Sequence, residues 1–212
     1  MHRGFFLTFE GGDGTGKTTQ LERLAAALRE AGWSVVATRE PGGTPLGQAL
    51  RQWLLDHPFS LSPRTELLLY LAARAQHVES LIRPALEAGH IVLCSRFSDS
   101  TLAYQGGGLG LEEGWIRRLD AFATGGLRPD LTILLDLPPE EGLRRIAARE
   151  SLDRVESRHL EFHRRVRATF LRLAQEEPER FLVLDATQPA EVLHRLIWQG
   201  VVLRLEQRSL KP

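Results

Sequence analysis

Lysine is nearly absent from this 212-residue chain: of 27 Lys and Arg residues, only Lys17 and Lys211 are lysines. Wherever the chain places a surface cation, it uses arginine. Cysteine is scarcer still. The single Cys94 excludes an internal disulfide and suits a reducing compartment. Set in the apolar run Ile91-Val92-Leu93-Cys94, it reads as a buried small hydrophobe rather than a nucleophile. Neither sign of charge is in excess. The formal net charge of zero implies no broad attraction to nucleic acid or to a membrane surface. Long apolar runs are missing too: Leu67 to Ala73 is much too short to span a bilayer. The N-terminal apolar segment stops at Glu10, too short for a signal peptide. Seven histidines are scattered without ligand spacing, so no zinc site is implied. No repeat or low-complexity linker divides the chain, and 42% hydrophobic with 25% charged residues is ordinary for a soluble protein. What remains is one domain over residues 1–212 with a substantial core, expected in the cytoplasm.

What is present is organised around Gly11-Gly12-Asp13-Gly14-Thr15-Gly16-Lys17-Thr18. It fits G-x-x-x-x-G-K-[ST], a pattern that a chain of this length meets by accident in roughly one case in a hundred. Phe5 to Phe9 before it reads as a buried strand, and Leu21, Leu24, Ala25 and Leu28 after it recur at helical spacing. Strand, glycine loop and helix are the setting a phosphate-cradling loop needs. Backbone N–H groups of Gly11 through Thr19 turn inward onto phosphate oxygens, and the helix N-terminus adds partial positive charge. Lys17 is then placed for the β- and γ-phosphates, and the Thr18 hydroxyl for Mg²⁺. In a chain that otherwise avoids lysine, keeping the compact ammonium here is itself a signal.

Beyond the loop, strands alternate with helices. Strands are expected at 34–38, 90–95, 131–137 and 180–185, besides 5–9. Thr44 and Pro45 cap and open a short helix ending near Asp56, and Ser62-Pro63 opens a long one. Pro84 should kink that helix or end it early, with Gly89 closing it. A short helix starts near Ser98, and Gly106-Gly107-Gly108 is expected to break it. Further helices are read at 111–124, 138–149, 159–176 and 189–207, with a polar stretch from Glu150 to Glu156. Alternation of this kind predicts an α/β fold: a five-stranded parallel sheet between two layers of helices. Tyr70 and Arg74 lie four apart on one helix face, as do Thr101 and Gln105. Arg96 follows the third strand, where open α/β sheets place ligands.

Phosphate loops serve motors, switches, transporters and kinases. The chain has no N-K-x-D stretch and no second ATPase signature. Instead, Arg39, Arg51, Arg74, Arg96, Arg149 and Arg154 stand at strand ends and after helices, and an arginine beside such a loop commonly holds a second phosphate. Along nearly its whole length the chain resembles bacterial-type thymidylate kinases. The matching pieces are Phe9-Glu10-Gly11, Thr38-Arg39-Glu40-Pro41-Gly42-Gly43-Thr44, Arg64-Thr65-Glu66-Leu67-Leu68-Leu69-Tyr70 through Arg74, and Asp99-Ser100-Thr101-Leu102-Ala103-Tyr104-Gln105-Gly106. Arg128-Pro129-Asp130-Leu131-Thr132, Leu152-Asp153-Arg154 and Asp185-Ala186-Thr187-Gln188-Pro189 complete the series.

The resemblance implies a P-loop NTPase fold with a short lid at about 149–156 and transfer of the γ-phosphoryl of ATP to dTMP, with Mg²⁺. By similarity Arg96 and Arg39 hold the acceptor phosphate, with Arg51 nearby. Arg74 donates to a thymine carbonyl and Tyr70 stacks on the ring. Ser100, Thr101 and Gln105 belong to the acceptor site, the last two at the polar edge of the base, and Tyr104 lies against the sugar. Asp13 is unusual, since a carboxylate within a phosphate loop costs repulsion. It should face metal-bound water or a sugar hydroxyl, with Glu40 sharing that task. The loop lacks an arginine, so Arg149 or Arg154 of the lid is the expected catalytic arginine, Arg149 the preferred one. Thr187 to Pro189 would border the adenine, and a homodimer packed through helices including the one from Ser62 is implied as well. One departure stands at the third strand end. Most relatives carry Asp-Arg there, followed by Tyr or His, whereas this chain has Ser95-Arg96-Phe97 and lacks a carboxylate that helps organise Mg²⁺-bound water. The alternatives are a kinase for another pyrimidine nucleoside monophosphate or deoxynucleoside, and a nucleotide-binding regulator on the same fold.

Overall fold

The computed structural model describes residues 4–56, 60–147 and 153–211. Its strands β1 (Phe5–Glu10), β2 (Val35–Arg39), β3 (Ile91–Ser95), β4 (Leu131–Asp136) and β5 (Phe181–Asp185) form one parallel sheet in the order β2-β3-β1-β4-β5. The helices are α1 (Lys17–Glu30), α2 (Pro45–Leu55), α3 (Pro63–His77), α4 (Arg83–Glu87) and α5 (Ser98–Thr101), then α6 (Glu113–Thr124), α7 (Pro139–Ile146), α8 (Leu160–Glu176) and α9 (Ala190–Gln207). None of the described helices is long and apolar enough to cross a membrane.

Period-two alternation in the central strand explains the layers. Phe5, Leu7 and Phe9 point to one face of the sheet, into a cluster with Leu24 and Leu28 of α1 and Ile197 and Val201 of α9. Phe6 points to the other face, against Val78, Ile82 and Phe97. Each such fully buried side chain stabilises the fold by about 1.5–3 kcal/mol. A further cluster joins Tyr104, Phe162 and Phe170 beside the sheet. The expected helix starts are built as their sequences suggest: Thr44 Oγ1 accepts from Gly47 N at 2.9 Å, and Ser62 Oγ from Thr65 N at 3.3 Å.

Two expectations are refined. Regular α-helix gives way ahead of Pro84 rather than at it. After His77 the chain widens into a π-helical turn, Val78–Ile82, in which Arg83 N donates to Val78 O, and regular helix resumes as α4 with Pro84 in its first turn. The changed register carries the chain past a residue with no N–H to give. Gly106-Gly107-Gly108 closes the helical run after Ser98, but at its last glycine rather than its first. α5 runs on into a second π-helical segment, Leu102–Gly108. A Cβ on Gly107 would lie 2.0 Å from Thr169 Oγ1, and one on Gly108 2.3 Å from Phe162 Cε2. These glycines also let the segment press against α8, so close approach is a second use of them.

Candidate active site

The carboxyl ends of β1, β2 and β3 open into a cavity of about 360 Å³. Asp13 to Thr19 form its floor. Arg39 at the end of β2, Glu40 and Pro41 after it and Arg51 of α2 line one wall; Tyr70 and Arg74 of α3, with Ser95, Arg96, Ser100, Thr101, Tyr104 and Gln105, line another. Arg145, Asp153 and Glu156 stand at the rim. Residues scattered from 13 to 105 thus converge. Gly11 and Gly12 stand behind the cavity and supply carbonyls to its cations. Gly14 (φ +73°) packs back to back with Gly142 of α7: a Cβ on Gly14 would lie 2.2 Å from Gly142 O, and one on Gly142 2.3 Å from Asp13 O. Gly142 therefore supports the loop from outside, which its place in a helix rich in arginine did not disclose.

Lys17 is 8% exposed. Its Nζ donates to Gly11 O at 3.1 Å, to Gly12 O and to Thr15 Oγ1 at 3.2 Å. Burial, aided by the charge of Arg96, pulls the ammonium down to about 7. Arg96 adopts a left-handed backbone (φ +68°), a costly conformation for a side-chain-bearing residue. It aims the guanidinium at the loop: Nη1 donates to Gly11 O at 3.1 Å and Ser100 Oγ at 3.3 Å, and Nη2 to Asp13 Oδ1 at 2.5 Å. Its plane lies over the Tyr104 ring, 4.7 Å from the centroid. Tyr104 OH donates to the other Asp13 oxygen at 3.0 Å. Burial works against the Asp13 charge, but Arg96 and then Lys17 outweigh it and hold the carboxyl below its ordinary value. The loop carboxylate is accommodated because it turns sideways onto an arginine and a phenol.

Glu10 holds the bend that presents Arg96. Its Oε1 accepts from Phe97 N at 2.8 Å and Oε2 from Ser100 Oγ at 2.5 Å. Burial pushes this acid up to about 7, and the charge of Asp99 adds to the shift. In the sequence Glu10 shows as a charged residue at the end of an otherwise apolar strand, within the matching piece Phe9-Glu10-Gly11.

At the far end, Arg74 is 2% exposed. Its Nε donates to Glu40 Oε2 at 2.7 Å, and its Nη1 to Thr101 Oγ1 at 2.8 Å and Asp120 Oδ1 at 2.6 Å. His77 Nδ1 stands 3.0 Å from Glu40 Oε1. Arg51 Nη1 donates to Pro41 O at 3.1 Å, bracing the loop after β2. Thr18 is exposed in the cavity beside Lys17.

Arg154 behaves differently from the expectation. It does not line the cavity: Nη2 donates to buried Glu66 at 2.6 Å and Nε to Leu54 O at 2.9 Å. A buried carboxylate captures the guanidinium before it can reach the phosphate loop. Arg149 lies outside the described residues, as does the first half of the segment read as the lid, 149–152.

Residues 9–197 match the family model described as thymidylate kinase. The chain belongs to the thymidylate kinase family. It is similar to the thymidylate kinase of Thermomicrobium roseum, 57% identical over 208 residues that cover 97% of this chain and 99% of the relative. It is also similar to that of Deinococcus radiodurans, 56% identical over 201 residues, 95% and 98% of the two chains. A crystal structure of thymidylate kinase from Ehrlichia chaffeensis superposes with a TM-score of 0.76 at 34% identity, covering 93% of this chain and 98% of that one. Within this family frame Ser95 still stands at the strand end, lining the cavity where relatives are expected to carry a carboxylate.

Proposed function

We propose that the chain transfers the γ-phosphoryl group of ATP to dTMP, giving dTDP and ADP, a step in dTTP synthesis. The observation that carries this reading is the sharing of one cavity. A phosphate loop with its lysine forms one end, a polar pocket built on Arg74 and Gln105 forms the other, and Arg96, Arg39 and Arg51 stand between. An acceptor phosphate oxygen attacks the γ-phosphorus while the bond to the β-bridging oxygen breaks and ADP leaves. The acceptor is already an anion, so no strong base is needed. The work is to align two mutually repelling anions and spread positive charge over the transferring group. Lys17 serves the β- and γ-phosphates. Arg96 and Arg39 hold the acceptor phosphate with Arg51 nearby, Ser100 supports Arg96, Tyr70 stacks on the base, and Tyr104 lies against the sugar. Arg149 takes the part of the lid arginine, in keeping with the engagement of Arg154 by Glu66.

Mg²⁺ fits this donor set. Among the described residues no three His, Cys, Asp or Glu side chains group to hold a metal, which suits an ion that keeps several waters and is bound largely by substrate phosphates. The Thr18 hydroxyl would hold it directly. Asp13 and Glu40 are engaged by Arg96 and Arg74, so they would act through water; Asp153 and Glu156 are further carboxylates in the same cavity. When bound, the ion neutralises phosphate charge.

Release of ADP from Mg-ATP should be stimulated mainly by dTMP in a panel with dUMP, dCMP, dGMP, AMP and thymidine. Stimulation by a different acceptor would keep the fold and move the base-recognition roles elsewhere. Silence across the panel with ATP still bound would point to a regulator. Lys17 adds a second expectation. Nucleotide phosphates restore the charge that burial suppresses, so ATP binding at pH 8 should draw in about one proton. Calorimetry in buffers of different ionisation enthalpy reads this uptake, and its persistence in Lys17→Met would refute the assignment.

We also place the protein in the cytoplasm as a homodimer acting on free nucleotides, without nucleic acid or membrane. Leu68 of α3 and Trp115 and Phe122 of α6 support the dimer. They expose 54%, 57% and 88% of their surface on neighbouring helices, as an unpartnered apolar face would. Sedimentation at micromolar concentration would decide the point.

A further inference from the structure

The amide of Gln105 can present a donor or an acceptor to the cavity it lines, depending on which way round it is held. Glu66 decides which. This side chain is 0% exposed on α3, one turn before Tyr70 and two before Arg74. Arg154 Nη2 and Arg158 Nη2 both donate to its Oε2 at 2.6 Å, and Gln105 lies 2.9 Å from its Oε1. A carboxylate held between two guanidinium groups offers only acceptors, so the Gln105 atom facing it must be the nitrogen. The reversed amide would set two oxygens against each other in a buried site. The oxygen Oε1 is therefore the end left for the cavity, beside Arg74 and Thr101.

We propose that Glu66 is the positioning residue that makes the base pocket selective, by holding the Gln105 oxygen toward the cavity as an acceptor next to the Arg74 donor. The inference rests on the reading of this cavity as a pyrimidine monophosphate site. Donor beside acceptor complements the edge shared by thymine and uracil, a ring carbonyl next to a ring N–H. Cytosine presents the reverse, an amino group facing the guanidinium and a ring-nitrogen lone pair facing Oε1. Both contacts then become repulsive, and a pocket built for hydrogen bonding rejects such a base far more strongly than one built on shape. Arg154 alone suffices to hold Oε2, and the carboxylate accepts at Oε1 whichever arginine is present, so the direction of the amide is fixed before any base arrives.

The test is kcat/KM for dTMP, dUMP and dCMP in the intact protein and its variants. Glu66→Gln offers Gln105 a partner for either orientation. The dTMP-to-dCMP preference should fall about tenfold or more, while the dTMP-to-dUMP preference, which depends on the methyl group, should stay within about twofold. Glu66→Asp keeps the charge the arginines need while retracting from Gln105, and gives the same reading if Glu66→Gln does not fold. Arg158→Met, which removes a partner of Glu66 without touching Gln105, should lower the unfolding midpoint and leave the preference intact. Where dCMP turnover is too slow, its competition with dTMP in equilibrium binding reads the same ratio. A wild-type protein inactive on dTMP overturns the assignment of the cavity. With wild type active, an unchanged dTMP-to-dCMP preference in the Glu66 variants, or an equal decline for all three nucleotides, overturns the role of Glu66. So does a matching loss of preference in Arg158→Met.

Discussion

Arg96→Met should lower kcat/KM for dTMP by about a thousandfold or more, with ATP affinity changed only a few-fold. Three physical losses combine. The guanidinium touches the loop at Gly11 and Asp13, and in the proposed reading it also holds the acceptor phosphate, so its loss would unlink the two halves of the cavity. The left-handed backbone at position 96 is supported by Glu10 through Phe97 N, so a replacement side chain keeps the strain without the benefit. Most telling, Asp13 loses its principal counter-charge and becomes a buried anion beside two incoming phosphates. Arg96→Lys should recover little, because one ammonium cannot reproduce the several directed donors of the guanidinium. Adding Asp13→Asn to Arg96→Met should restore part of the lost rate by removing the stranded charge. Steady-state kinetics on the single and double variants, with ATP binding by calorimetry, measure these effects. A dTMP kcat/KM within tenfold of wild type in Arg96→Met would remove Arg96 from the transfer machinery.

Arg74→Met should be the most destabilising single change at the site, by about 3–5 kcal/mol in urea unfolding. The guanidinium is almost wholly buried and neutralises two carboxylates at once, Glu40 at 2.7 Å and Asp120 at 2.6 Å. Removing it strands the buried Glu40 and the partly exposed Asp120, and His77 on the far side of Glu40 is the sole remaining partner of that group among the described residues. Replacing Glu40 and Asp120 by their amides in the same chain should recover most of the stability but not dTMP binding, which separates the structural part of Arg74 from its proposed part in holding the base. A loss under 1 kcal/mol in Arg74→Met would show that solvent reaches the stranded carboxylates.

Much of this was legible in the residues. The phosphate loop, the alternating strands and helices, and the caps at Thr44 and Ser62 each depend on side chains a few positions apart, so the information is contiguous. Tyr70 with Arg74 and Thr101 with Gln105 were readable as pairs because helical spacing makes them neighbours whatever surrounds them. Other features carried no local signal. A glycine that ends a helix and one that admits a neighbouring helix are the same residue type, and only the approach of Thr169 and Phe162 distinguishes Gly107 and Gly108. Pro84 reads as a breaker until the π-helical turn before it is seen.

The charged groups show the division most clearly. Sequence by itself determined that arginines and a lone lysine would gather around a phosphate loop, since residue type, local spacing and family resemblance all pointed there. Tertiary structure alone decided whom each arginine faces. Arg154 finds Glu66 across 88 positions, and Arg96 finds Asp13 across 83. The reason is physical: a buried charge must be matched by whichever opposite charge the packed fold brings within hydrogen-bond reach. That partner is set by the assembly of sheet and helices, not by the neighbours along the chain.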